Sequence, residues 1–136
     1  MKVFLDTNVL VSAFATRGLC ADLFRHLLAE HELIVGAVVL AELRRVLRDR
    51  IHAPAAAIAA TEALLREHTV VPLQRRHLKM GIKDPDDEWI VASAIAGEAD
   101  VLVTGDSVLL EQVEPPIMIV NPRGLWEILR NQSDRK

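Results

Sequence analysis

Four carboxylic acids stand at positions from which they could act together, although they lie far apart along the 136-residue chain. Asp6 closes the apolar run Val3-Phe4-Leu5, and Asp106 follows the run Val101-Leu102-Val103-Thr104. Asp87 falls in the first turn of an apolar helix that opens at Asp84-Pro85-Asp86-Asp87-Glu88. Glu42 lies beside Leu43 and one turn from Val39 and Val46, at the border of a core-facing stripe. The C-terminal ends of buried strands are where open α/β sheets bind ligands. Carboxylates gathered there repel one another and raise each other's pKa unless a cation neutralises them. All-oxygen donors suit a hard ion, Mg²⁺ or Mn²⁺, better than Zn²⁺. The reaction most natural to such a centre is hydrolysis of a phosphodiester. One carboxylate could serve as general base, and the spacing does not say which.

Each acid also has a purely structural explanation. Asp84, Pro85 and Asp87 make a good helix start, with a cap, a proline at the first position and an acid favoured by the dipole. Asp106 could turn the chain or cap a short helix at 107–110, and Asp6 could form an Asx-turn with Asn8. Glu42 could be a solvated residue at a helix edge, and Asp84 and Asp86 compete with Asp87 as ligands. Singly these explanations suffice. Jointly, two acids at strand ends and a third at a helix start aimed at the same edge favour a shared site.

Other chemistries find less support. His26, His31, His52, His68 and His77 show no metal-binding spacing, and the single Cys20 excludes an internal disulfide and reads as a small apolar helix residue. The six glycines form neither GxGxxG nor a phosphate-cradling loop. An aspartyl phosphatase needs an acid two residues after the first, where Asn8 stands. A phospho-receiver needs a lysine after a late strand, where the chain has Thr104-Gly105-Asp106.

The elements that must position the acids follow from periodicity. Strands are expected at 3–5, 32–37, 69–72, 100–104 and 117–120. Helices are expected at 9–14 (capped by Thr7 or Asn8), 19–30, 38–50, from Pro54 to about His68, from Asp84 to Gly97 with a body buried nearly all round, and at 122–129. The polar, basic segment 73–83 reads as a loop. Strands alternating with helices signal a mostly parallel sheet covered on both faces, a single-domain three-layer α/β/α sandwich. Residues 1–130 form that domain, and 131–136 a polar, frayed tail.

Net charge is −3, but setting the four acids against a cation reverses the sign of the remainder. Arg44, Arg45, Arg48 and Arg50 follow Glu42, while Arg75, Arg76, Lys79 and Lys83 precede Asp84. Such groups could hold phosphates and make binding salt-dependent; a solvated helix face with local pairs, such as Arg45 with Asp49, is the alternative. Phe4, Phe14, Phe24, Trp89 and Trp126 are scattered and read as core residues, not a stacking platform. No apolar stretch approaches a membrane span, and the run after Lys2 is too short for a signal peptide, so a cytoplasmic location is expected.

VFLDTNVLVSA, Glu42 in VVLAELRRVL, and DPDDEWIVASAIAGEADVLVTGD resemble the PIN domain, in particular VapC-like toxins of bacterial toxin–antitoxin pairs. The resemblance spans nearly the whole chain. It implies that Asp6, Glu42, Asp87 and Asp106 are the catalytic acids that hold Mg²⁺, with Mn²⁺ able to substitute, and that Thr7, Asn8 and Thr104 hold those acids in place. It further implies an endoribonuclease acting on RNA, silenced by a small antitoxin and assembled as a homodimer, for which the apolar stripes of the early helices could supply the face. A non-catalytic RNA- or partner-binding module is the competing expectation.

Overall fold

The computed structural model describes residues 1–76, 79–82 and 84–134. His77 and Lys83 therefore lie outside the described residues. The elements run β1 (Lys2–Leu5), α1 (Thr7–Ala15), α2 (Leu19–Glu30), β2 (Glu32–Gly36), α3 (Ala37–Asp49), α4 (Ala55–Arg66), β3 (Thr69–Val71), α5 (Pro85–Ala96), β4 (Val101–Val103), α6 (Ser107–Leu110), β5 (Met118–Val120) and α7 (Pro122–Asp134).

Five strands form one sheet in the order β3-β2-β1-β4-β5, and every pairing is parallel. Val3, Phe4 and Leu5 of the central strand are at most 2% exposed. Successive strand side chains point to opposite faces, so helices must cover both faces of β1. That is the three-layer α/β/α arrangement expected from the alternation of elements. The chain steps outward from β1 to β2 and β3, then returns to pair β4 on the other side of β1. Such a reversal opens a crevice at the C-terminal ends of the two strands that flank it, here β1 and β4.

Several boundaries differ from expectation, each for a local reason. Helix α1 starts at Thr7 because Asp6, not Thr7 or Asn8, is its cap. Ala37 opens α3 instead of closing β2, and Pro54 caps α4 instead of entering its first turn. Helix α7 continues past Leu129 to Asp134. Helix α5 is not buried all round, since Ile95 (38% exposed) and Ala96 face outward. Trp89 is half-buried and lies outside the core. The stripe of α2 is consumed by the chain itself: Leu23, Phe24 and Leu27 are buried, with Phe24 edge-on to Phe14 at 5.0 Å. Leu19 and Leu28, at the edges of the stripe, stay half-buried. No helix among the described residues is long and apolar enough to cross a membrane.

Gly36, between β2 and α3, shows how tightly the layers meet. A Cβ built there would lie 2.4 Å from Ser93 Oγ and 2.9 Å from the Phe4 ring. Both neighbours are buried, so neither can simply swing away. Gly36→Ala is expected to cost about 1–3 kcal/mol through overpacking, read as a lower urea midpoint at an unchanged slope.

Candidate functional site

The crevice between β1 and β4 is built by register. Leu5 pairs with Val103, and the Asp6 N–H donates to the Val103 carbonyl at 2.9 Å. Asp6 and the turn after β4 are thus fixed side by side. Asp6 Oδ1 accepts from the Thr7 N–H at 2.7 Å, capping α1. Its Oδ2 accepts from Thr104 Oγ1 at 2.7 Å and from Asn8 Nδ2 at 3.2 Å. Three of roughly four acceptor positions on the carboxylate are thereby used. The acid is immobilised, yet it retains capacity toward the cavity. Asn8 spans the crevice: its Oδ1 accepts from the Gly105 N–H at 2.9 Å, and a Cβ on Gly105 would come within 3.3 Å of that oxygen.

Asp106 caps α6 through the Val108 N–H at 2.9 Å, while its own N–H donates to Thr104 Oγ1 at 3.0 Å. Asp84 caps α5, accepting from the Asp86 N–H at 2.9 Å, with Pro85 in the first turn. The capping roles anticipated for Asp84 and Asp106 are real. They do not displace a shared site, because a cap occupies one oxygen of each carboxylate.

Asp6, Glu42, Asp87 and Asp106 line one cavity of about 470 Å³, together with Asp84 and Asp86. Their electrostatics record the crowding. Burial raises the Asp6 pKa above the ordinary carboxylate value, opposed by its hydrogen bonds and reinforced by the Asp106 charge. Burial, then the Asp6 charge, raises Glu42. The Thr7 hydroxyl faces Glu42 and partly lowers it, although this buried oxygen makes no hydrogen bond of full geometry among the described residues. Asp87 is pushed up to about 7, by burial first, then by Asp106 and Asp84, by a hydrogen bond to Asp106 that only its protonated form can donate, and by Asp6. Within the Asp84–Asp87 run, Asp87 therefore faces Asp106 and Asp6, while Asp86 acts on Glu42.

The donor set suits a hard cation. Six carboxylates line the cavity, and no histidine or cysteine does. Among the described residues no three such groups are drawn together into a ready-made cage. Mg²⁺ asks for none, since it keeps several waters and is held through one or two carboxylates plus substrate phosphate.

Two cations share the cavity wall. Arg45 and Arg50 line it, whereas Arg44 pairs with Glu62 and Arg48 with Asp49. The alternative pairing of Arg45 with Asp49 gives way to Arg48–Asp49, and Arg45 makes no salt bridge within 4 Å among the described residues. Val11 and Ser12 also form wall, and sequence reasoning missed them. The signal was available, because residues 8, 11 and 12 share one face of α1. Glu88 was passed over as well; it is buried, and its Oε2 accepts from the Met80 N–H at 2.6 Å, tying the segment before Asp84 to α5.

Comparison with known proteins agrees with this architecture. The fold is similar to that of VapBC2 from Rickettsia felis, crystallised bound to a DNA fragment from their promoter, with 18% identity over 89% of this chain and 98% of that one, and a TM-score of 0.64. It is also similar to FitAcB from Neisseria gonorrhoeae (18% identity, 89% and 98% covered, TM-score 0.62) and to DNA-bound VapBC from Salmonella typhimurium (17% identity, 90% and 98% covered, TM-score 0.62). No curated protein matches the sequence. At such identities the likeness is one of fold. The family model for the PIN domain, however, matches residues 2–107, a span that holds all four acids from the strand before Asp6 to the turn at Asp106, and the chain belongs to the PIN domain family.

Proposed function

We infer that the protein is a divalent-cation-dependent endoribonuclease in which Asp6, Glu42, Asp87 and Asp106 hold Mg²⁺ or Mn²⁺. The observation that carries this reading is the convergence of these acids, from four separate elements, on one cavity at the β1–β4 edge. When bound, the cation supplies a Lewis acid, lowers the pKa of water and offsets charge on the leaving oxygen. The chain supplies orientation. Thr7, Asn8 and Thr104 fix the Asp6 carboxylate, and Asn8 ties it to the turn carrying Asp106. Arg45 and Arg50 line the same cavity and supply the positive charge to hold phosphates flanking the cut.

RNA as substrate rests on the PIN resemblance, as do toxin activity, a small antitoxin partner, a homodimer and a cytoplasmic site of action. The solved VapBC and FitAcB structures share the fold, which supports the antitoxin partner. The test is cleavage of single-stranded RNA with Mg²⁺ or Mn²⁺, with EDTA and a matching DNA strand as controls. Binding without cleavage would favour a non-catalytic module. Arg45→Ala and Arg50→Ala are expected to raise KM several-fold each with little change in kcat, and to reduce the salt dependence of RNA binding by about one phosphate contact apiece.

A further inference from the structure

A second cavity, of about 250 Å³, is lined by Val38, Pro72, Leu73, Gln74, Trp89 and Ser93. Its lining comes in part from α3 and α5, the two packed helices that also carry Glu42 and Asp87 of the acidic cavity. On α3, Val38 stands one turn before Glu42 on the same face, and on α5, Trp89 and Ser93 follow Asp86 at helical spacing. A strand whose phosphate lies among the acids can extend along these two helices toward the second cavity.

The lining is that of a base site. The Trp89 indole forms one wall, with Val38, Pro72 and Leu73 supplying apolar contact. Ser93 is 2% exposed, and its hydroxyl has no hydrogen-bond partner among the described residues. Gln74 Nε2 donates to the Pro72 carbonyl at 2.7 Å, which turns the amide so that Oε1 remains as an acceptor. The volume is below the roughly 300 Å³ of drug-sized pockets and suits one ring system. An apolar side chain from a protein partner would leave Gln74 Oε1 unanswered, whereas a base with an exocyclic amine answers it.

We propose that this cavity binds an unpaired base next to the scissile phosphate, stacked on Trp89, with Gln74 Oε1 accepting from an exocyclic amine. The proposal rests on the ribonuclease reading for its substrate. Adenine and cytosine present such an amine, and uracil presents a carbonyl in its place. Stacking on an aromatic side chain tolerates any base, so Gln74 supplies the preference.

The experiment follows tryptophan fluorescence of the full chain, with Mg²⁺, during titration with adenosine, cytidine and uridine 5′-monophosphates and with ribose 5-phosphate. AMP and CMP should quench emission, with UMP binding about fivefold more weakly. Trp89→Phe should silence the signal, Trp89→Ala should weaken AMP binding about 5- to 100-fold by titration calorimetry, and Gln74→Leu should erase the difference between CMP and UMP. Equal quenching by ribose 5-phosphate, or nucleotides that leave Trp89 emission unchanged, overturns the base site and points the cavity to a protein partner. Equal affinity for UMP and CMP overturns the role of Gln74. RNA cleavage is assayed separately: quenching without cleavage removes the ribonuclease reading and keeps the base site, and cleavage without quenching does the reverse.

Discussion

Asp6→Asn is expected to lower RNA cleavage on the order of 10²- to 10³-fold while leaving the fold intact. Asp6 is the acid most firmly set by its surroundings, and the charge it presents to the cavity is what the substitution removes. An asparagine keeps an oxygen for the Thr7 N–H, so the cap of α1 survives. Thr104 Oγ1 already accepts from the Asp106 N–H, and its proton can turn elsewhere. Circular dichroism and a thermal midpoint near wild type would establish that the loss is chemical. Activity within a few-fold of wild type, in a preparation that EDTA inhibits, would move the reaction away from Asp6.

The second large effect is a pH-dependent penalty on stability that a divalent cation relieves. The Asp87 pKa is about 7 in the folded protein against an ordinary value of 3.8. Between about pH 4 and pH 7 the unfolded chain has released this proton while the folded one retains it. Stability therefore falls as pH rises through that window, and the penalty is complete above pH 7. Asp6 and Glu42 are shifted in the same direction and deepen it. Because Asp87 is only partly buried, solvent screening reduces its share to about 1 kcal/mol, or about 3–5 °C in Tm for a domain of this size. Asp87→Asn should raise Tm by that amount at pH 8 without added metal and leave it unchanged near pH 4. Saturating Mg²⁺ or Mn²⁺ should raise wild-type Tm more at pH 8 than at pH 5. Scanning calorimetry at the three pH values checks both; a gain for Asp87→Asn that persists at pH 4 would be a packing effect instead.

The sheet was legible because its strands are short apolar runs bounded by turn residues, and because helices separate every pair of them. The start of α5 was equally plain, since Asp84 and Pro85 at a cap leave few alternatives. The start of α1 was not. Asp6, Thr7 and Asn8 are all good caps, and what selects Asp6 is the register of β1 on β4, which lies a hundred residues away in sequence. The four acids could be named from position and resemblance, but which acid of the 84–87 run faces Asp106 depends on how α5 sits over the sheet. Helical spacing offers Arg45 to Asp49, yet the adjacent Arg48 takes that carboxylate and leaves Arg45 to the cavity. Size and apolar character alone assign Trp89 to the core. Its surroundings are set by α3 and the segment after β3, which no local pattern encodes.

Mn²⁺ titration by calorimetry, on wild type, Asp6→Asn and Glu42→Gln at pH 8, bears most directly on the idea that distant acids share one cation. Saturable binding to wild type that Asp6→Asn and Glu42→Gln each weaken at least about tenfold is the predicted result. Identical isotherms for wild type and both variants, or no binding to wild type at all, would contradict it.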